Sequence, residues 1–432
     1  MLINIEKLFV FILPLLLIGV YFGLTPFILC VLLVIIRMLT SSRDTSGFYL
    51  LAYSGPLAGI IRTMYPSLPI YGVLLMIISF FLLKENWFSF LKETVKTRIY
   101  MILTILVFIF SYIFISEHTQ YAYNKIINII ISGISMFYCY YVYNHSTKVE
   151  STKLMQLVMI TSIGMLAFAQ QFYNIEVGGI FQYGIFRESC SAFDKLHNYE
   201  TQLLTNYQNI GVYMAFALSI YYAQHKFKYH EFLLYSLIGF QCLMTCSARQ
   251  GLLAFIIMII LRIYIKGQAK NILGKLILIS IFLFVAYHIL STFGGEVVSN
   301  SIEDGDEGRS IRFGLAIEIW KNSPLFGAGI GGFSRIVGFA NYPHNFFLEI
   351  LCECGIIGLL VLIYIVGAFL TKYRIPLNAV TSNGSYIIVF VSALFVRFMV
   401  SADLTSSIDL FCILFTISKY KNKIKYENNQ IN

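Results

Sequence analysis

Charge is scarce in this sequence. Asp, Glu, Lys and Arg make up 12% of its 432 residues, about half the share found in soluble domains. So little charge cannot cover the surface of a water-soluble protein of this length, which excludes a soluble enzyme. Hydrophobic residues reach 58% and the mean hydropathy is +0.75, which excludes a disordered chain. Cysteine forms no framework. Cys30, Cys139, Cys242, Cys246, Cys352, Cys354 and Cys412 lie in or beside apolar runs, and only Cys190 in a polar loop, so packing is the reading for most. Metal-ligand spacing is missing as well. His118, His197, His288 and His344 are scattered, with neither H-E-x-x-H nor Cys-x-x-Cys beside them, so no metal and no cofactor is expected. There is no P-loop, and hence no sign of ATP-driven export. The net charge of +9 fits cytoplasmic loops of a membrane protein better than a nucleic-acid surface.

What the chain has instead is long apolar runs. A bilayer core takes roughly 20 apolar residues as helix. Candidate spans cover 8–22, 25–40, 47–61, 68–83, 99–116, 126–143, 153–169, 208–223, 232–246, 251–265, 276–291, 346–370, 385–401 and 404–418. Gly55-Pro56 interrupts the third and the last two are short, so the expectation is an all-α polytopic membrane protein of about 12–14 transmembrane helices, forming one integral membrane domain over 1–432. Residues 8–24 look like a signal peptide without a small-residue cleavage site, and are read as a retained span. With the N-terminus inside, most of the 31 Lys and Arg fall inside, among them Lys84, Lys92, Lys96 and Arg98, then Lys419, Lys421, Lys423 and Lys425. Two long segments, 170–207 and 292–345, then face outward. Polar loops of that length are more often functional than connecting. In the first, Arg187, Asp194, His197, Tyr199 and Glu200 offer sugar contacts, although solvated loop residues are the simpler reading.

Four groups could carry chemistry. Arg249 sits in Cys246-Ser247-Ala248-Arg249-Gln250-Gly251, between two short apolar runs. A cation near the membrane surface faces a protein cavity or an anion, or else snorkels to headgroups. Arg309 and Arg312 are three apart and share a helix face. Two guanidinium forks suit a diphosphate, while pairing with the preceding acidic run Glu303-Asp304-Gly305-Asp306-Glu307 is equally open. Gly327-Ala328-Gly329-Ile330-Gly331-Gly332 satisfies the dinucleotide pattern G-x-G-x-x-G without its strand or βαβ unit. A turn letting backbone pass close to something else is the better reading. Last, Pro343 ends the outer loop and a helix is expected to start near His344, whose imidazole could accept a proton at ordinary pH. Glu349 and Glu353 lie four apart on that buried helix, which is expensive unless they face a cavity or a cation. They and Arg397 are candidate substrate contacts, and ion pairing of the glutamates with an intramembrane arginine such as Arg397 is the simpler reading.

Three pieces in order resemble the O-antigen polymerase and O-antigen ligase superfamily. They are Ser247-Ala248-Arg249-Gln250-Gly251; Arg312 to Trp320 with Asn322-Ser323-Pro324-Leu325-Phe326-Gly327; and His344-Asn345 through Leu348-Glu349, Glu353-x-Gly355 and Gly358-Leu359-Leu360. Together they make 208–370 a superfamily-like catalytic region. The resemblance implies a glycosyltransferase of the GT-C type, working on undecaprenyl-diphosphate-linked glycans at the periplasmic face of a bacterial inner membrane. The segments 170–207 and 292–345 would be its periplasmic loops. By the same resemblance Arg249 and Arg312 contact the donor diphosphate and His344 activates the acceptor hydroxyl. Arg309 is added on spacing alone. The expected partners are the lipid-linked glycans and the bilayer, with a chain-length regulator as a further candidate and no nucleic acid. A repeat-unit polymerase is favoured; a ligase handing the finished glycan to lipid A–core is the alternative. A non-enzymatic flippase or exporter of lipid-linked glycan is a third reading, disfavoured because the chain shows no internal repeat.

Overall fold

The computed structural model describes residues 5–24, 26–52, 106–127, 129–130, 150–180, 182–196, 207–222, 229–266, 280, 310–338, 342–372, 396 and 399. Most of these residues are helical, and no strand occurs among them. The expected spans 68–83 and 404–418 lie outside them, as do most of 126–143, 276–291 and 385–401, and Arg309 and Arg397. The chain divides into two compact units.

The first unit takes Met1–Leu82, Thr147–Asn300 and Ala379–Ala393. Its described helices begin with α1 (Ile5–Tyr21), α2 (Phe27–Leu39) and α3 (Arg43–Ala52). The second unit supplies α4 (106–114) and α5 (from 120). The first unit then continues with α6 (Ser151–Tyr173), α7 (Ile185–Leu196), α8 (Tyr207–Tyr222), α9 (Tyr229–Cys246) and α10 (Arg249–Lys266).

Helix α6 is the axis of this unit, packed by α1, α2, α3 and α8. Its sequence explains why. Leu157 to Ala169 carry apolar or small residues on every side, and all are buried; a helix apolar all round belongs inside. Asn174 ends it in the left-handed conformation that asparagine tolerates. Its few polar groups are matched across helices. The Arg37 guanidinium donates to Gln156 Oε1 at 2.5 Å, and Gln156 Nε2 donates to the Tyr235 hydroxyl at 2.9 Å. Phe11, Leu15, Ile28, Leu32 and Ile36 lie exposed on the outer sides of α1 and α2, a surface that water would not tolerate and lipid would. Thr152–Tyr173 and Phe346–Tyr364 are each long and apolar enough to cross a bilayer.

One sequence expectation fails here for a clear reason. Cys190 does not sit in a polar loop; it is buried on α7, an amphipathic helix inside the segment expected as loop. Its mean hydropathy is near neutral because only one face is apolar, so a search for long apolar runs passes over it.

The second unit takes Leu83–Ser146, Ser301–Asn378 and Leu394–Asn432. Besides α4 and α5 it contains α11 (310–322), the short α12 (Gly332–Val337) and α13 (Phe346–Lys372). Ala316 and Ile319 of α11, Phe333 of α12 and Cys352 of α13 form a buried apolar cluster. This cluster fixes α11 and α12 against the first half of α13.

Candidate functional site

Arg249 opens α10, immediately after a turn in which Ser247 takes φ of 49°. The turn is drawn against α8 by small residues. Ala248 is 1% exposed and lies where a Cβ on Gly211 would overlap its own Cβ. A Cβ on Gly251 would fall 2.9 Å from the Gly211 carbonyl oxygen. The motif Ser-Ala-Arg-Gln-Gly thus reads as packing on both sides of a half-buried arginine. A cation at a helix N-terminus works against the helix dipole, and the two together form a positive locus suited to an anion.

In the second unit, Arg312 lies half-buried in the first turn of α11. His344 does not start the helix. It precedes it, in the left-handed region at φ of 59°, with its ring 4.3 Å from that of Tyr342. Asn345 is the true cap: its Oδ1 accepts from the Phe347 and Leu348 amides at 3.0 Å each. Its Nδ2 donates to the Met399 carbonyl at 3.2 Å. The cap fixes where the helix begins, and with it the place of the neighbouring imidazole.

Glu349 and Glu353 have their partner inside the protein. Lys125 of α5 donates to Glu349 Oε1 at 2.5 Å and to Glu353 Oε1 and Oε2 at 2.8 and 2.9 Å. The three contacts use all three ammonium donors. Both carboxylates are 0% exposed and the lysine side chain 2%, so neither glutamate opens to a substrate cavity. The ion-pair alternative is the one the geometry shows, with Lys125 in the place considered for Arg397. Sequence reading missed Lys125. It stands at the margin of an apolar run and was indistinguishable from a loop charge; the signal was the cost of two carboxylates on one buried helix face, which demands a cation nearby.

Below this trio α13 is broken. Gly355 takes φ of 65° and ψ of −168°, and a Cβ there would overlap the Leu325 carbonyl. The break frees backbone groups, and the loop after α11 takes them up. Ala328 and Gly329 amides donate to the Cys352 and Glu353 carbonyls at 2.8 and 3.1 Å. Ile356 and Ile357 amides donate to the Pro324 and Leu325 carbonyls at 3.0 and 3.3 Å. Ser111 Oγ also donates to the Glu353 carbonyl, at 3.0 Å. Gly327, at φ of 72°, meets the same crossing: a Cβ would sit 2.5 Å from the Glu353 carbonyl carbon. The glycine run is therefore a backbone junction, as its sequence without a βαβ unit suggested. Two of the three sequence pieces, Asn322–Gly327 and Glu353-x-Gly355, are the two sides of it.

Arg312, His344, Glu349 and Glu353 thus belong to one compact unit, and Arg249 to the other. Among the described residues, no three His, Cys, Asp or Glu side chains gather as a metal site. No curated protein matches the chain. Residues 234–363 match the O-antigen ligase family, a stretch that takes in Arg249, Arg312 and His344 along with the broken helix and its junction loop. Members of that family are membrane proteins that process glycans in a glycosyltransferase-like manner. The match, over residues 234–363, supports a likeness of this region to the O-antigen polymerase and ligase superfamily.

Proposed function

We propose that this protein polymerises undecaprenyl-diphosphate-linked oligosaccharide repeat units into a surface polysaccharide. In this reading it is a multi-pass protein of the bacterial inner membrane with its active site toward the periplasm. The observation that carries the reading is that one family match spans all three candidate reacting groups, Arg249, Arg312 and His344.

The chemistry needs few parts. The acceptor hydroxyl oxygen attacks the anomeric carbon of the donor sugar, and the bond from that carbon to the lipid diphosphate breaks with the electron pair leaving on the diphosphate. His344 takes the hydroxyl proton. Arg249 and Arg312 each offer a guanidinium fork to the growing negative charge of the diphosphate. Direct attack inverts the anomeric centre. Arg309 is a further diphosphate contact in this scheme, and Arg397 a further substrate contact. Glu349 and Glu353 act as positioning residues: through Lys125 they hold the first half of α13, and so the His344 mouth, in place.

A ligase reading is favoured by one observation, the description of the matched family itself. Purified protein in lipid nanodiscs, given only lipid-linked repeat units, separates the readings. Long lipid-linked chains are expected. Transfer only after lipid A–core is added indicates the ligase, and no covalent product at all contradicts a transferase.

A further inference from the structure

The second unit holds an open cleft of about 510 Å³ alongside α11, lined by Leu315, Glu318, Ile319, Asn322, Arg335 and Ile336 among others. Nothing in the scheme above uses it. We propose that this cleft is a carbohydrate subsite, holding the sugar next to the donor diphosphate. The proposal rests on the reading of the donor as a lipid-diphosphate-linked glycan.

Register along α11 is the first argument. Arg312, Leu315, Ile319 and Asn322 follow one another at i, i+3, i+7 and i+10, which puts them on one stripe of the helix. Leu315 stands about 4.5 Å along the axis from Arg312. Arg312 itself does not line the cleft, but a diphosphate gripped by it can leave its attached sugar over Leu315, the lining residue one turn along the helix. A sugar lying at a right angle to this stripe would miss the cleft; one lying along it enters.

Chemistry of the lining is the second. Leu315 and Ile336 offer apolar surface to the C–H face of a pyranose, with the buried Ile319 behind them. Glu318 and Asn322, both exposed, offer a carboxylate acceptor and an amide that both donates and accepts, which suits a ring of hydroxyls. A mostly apolar cavity with a few placed polar groups, within about 300–1,000 Å³, is the usual form of a small-ligand site.

Rigidity is the third. Gly327 and Ala328 also line the cleft, and the backbone junction with Cys352 and Glu353 pins them. At the rim Arg335 pairs with Glu117. The walls are thus set before any glycan arrives, so little ordering is required on binding.

The test uses the full chain in lipid nanodiscs and, as probe, the free oligosaccharide released by mild acid from the lipid-linked repeat units of the cells that make it. Binding is read by saturation-transfer NMR and titration. Asn322→Ala is expected to weaken binding about tenfold, and Glu318→Gln to weaken it comparably. Ile336 is 53% exposed, so Ile336→Trp can fill the cleft from its open side with little disturbance beneath, and is expected to abolish binding. Equal binding by wild type, Asn322→Ala and Ile336→Trp would overturn the subsite, as would no binding at millimolar oligosaccharide. His344→Ala separates this proposal from the reaction scheme, since it should lose transfer and keep oligosaccharide binding. Retained transfer in His344→Ala, with binding still lost in the cleft variants, would remove the scheme and leave the subsite standing.

Discussion

The turn that carries Arg249 and the broken helix that follows His344 solve the same problem in opposite ways. Both must hold polar groups among apolar spans. The Arg249 turn does it by closeness: Gly211, Ala248 and Gly251 are small enough for α8 and α10 to pack nearly backbone to backbone, and the polar group is left at the helix start. The broken helix does it by satisfaction. The Cys352 and Glu353 carbonyls and the Ile356 and Ile357 amides around Gly355 find partners in the loop 324–329, and the two glutamates share one lysine. Close packing among small residues is a general device for helices in lipid. A closed set of buried charges is costly, and is kept where it fixes one arrangement. The difference teaches that the imidazole end is the more rigidly specified of the two.

Removing the lysine should show this most strongly. Lys125→Met leaves two carboxylates buried without their cation, and is expected to cost about 3–5 kcal/mol of stability, measured as thermal unfolding of the purified protein. Adding Glu349→Gln and Glu353→Gln to that variant should recover much of the loss, because the amides carry no charge. If Lys125→Met melts like wild type, the trio does not hold the helix and the comparison breaks.

A smaller effect is expected at the other region. Gly211→Ala places a methyl against Ala248 and should cost about 1–3 kcal/mol as overpacking. The same variant carrying Ala248→Gly should regain most of that, since it removes the atom the new methyl meets. No recovery would mean that the turn is not held by this contact.

Much of the helical frame was legible. The runs 153–169, 208–223 and 251–265 correspond to Ser151–Tyr173, Tyr207–Tyr222 and Arg249–Lys266, because a span buried or bathed in lipid writes itself as continuous apolar sequence. The run 346–370 matched Phe346–Lys372 equally well, yet hid the break. Gly355 kinks the backbone without changing hydropathy, so no average over side chains can register it. Lys125 was hidden for a different reason: its glutamates lie 224 and 228 residues away, and only the fold brings them together. His344 stood out as the imidazole beside a helix start, but the cap belonged to Asn345, a residue of ordinary type whose role depends on where the first turn falls. The glycine run was legible in kind, as close backbone approach, but its partner at Cys352 and Glu353 was not.

The most direct measurement is the initial rate of glycan transfer by purified protein in nanodiscs, with lipid-linked repeat units as both donor and acceptor, for wild type and His344→Ala. With melting temperature and oligosaccharide binding unchanged, the substitution is expected to lower the rate by about 10²–10⁴. Arg249→Lys and Arg312→Lys, which keep charge but lose the fork, are expected to be impaired in the same assay. Turnover by His344→Ala at the wild-type rate would contradict the assignment of the imidazole as the base.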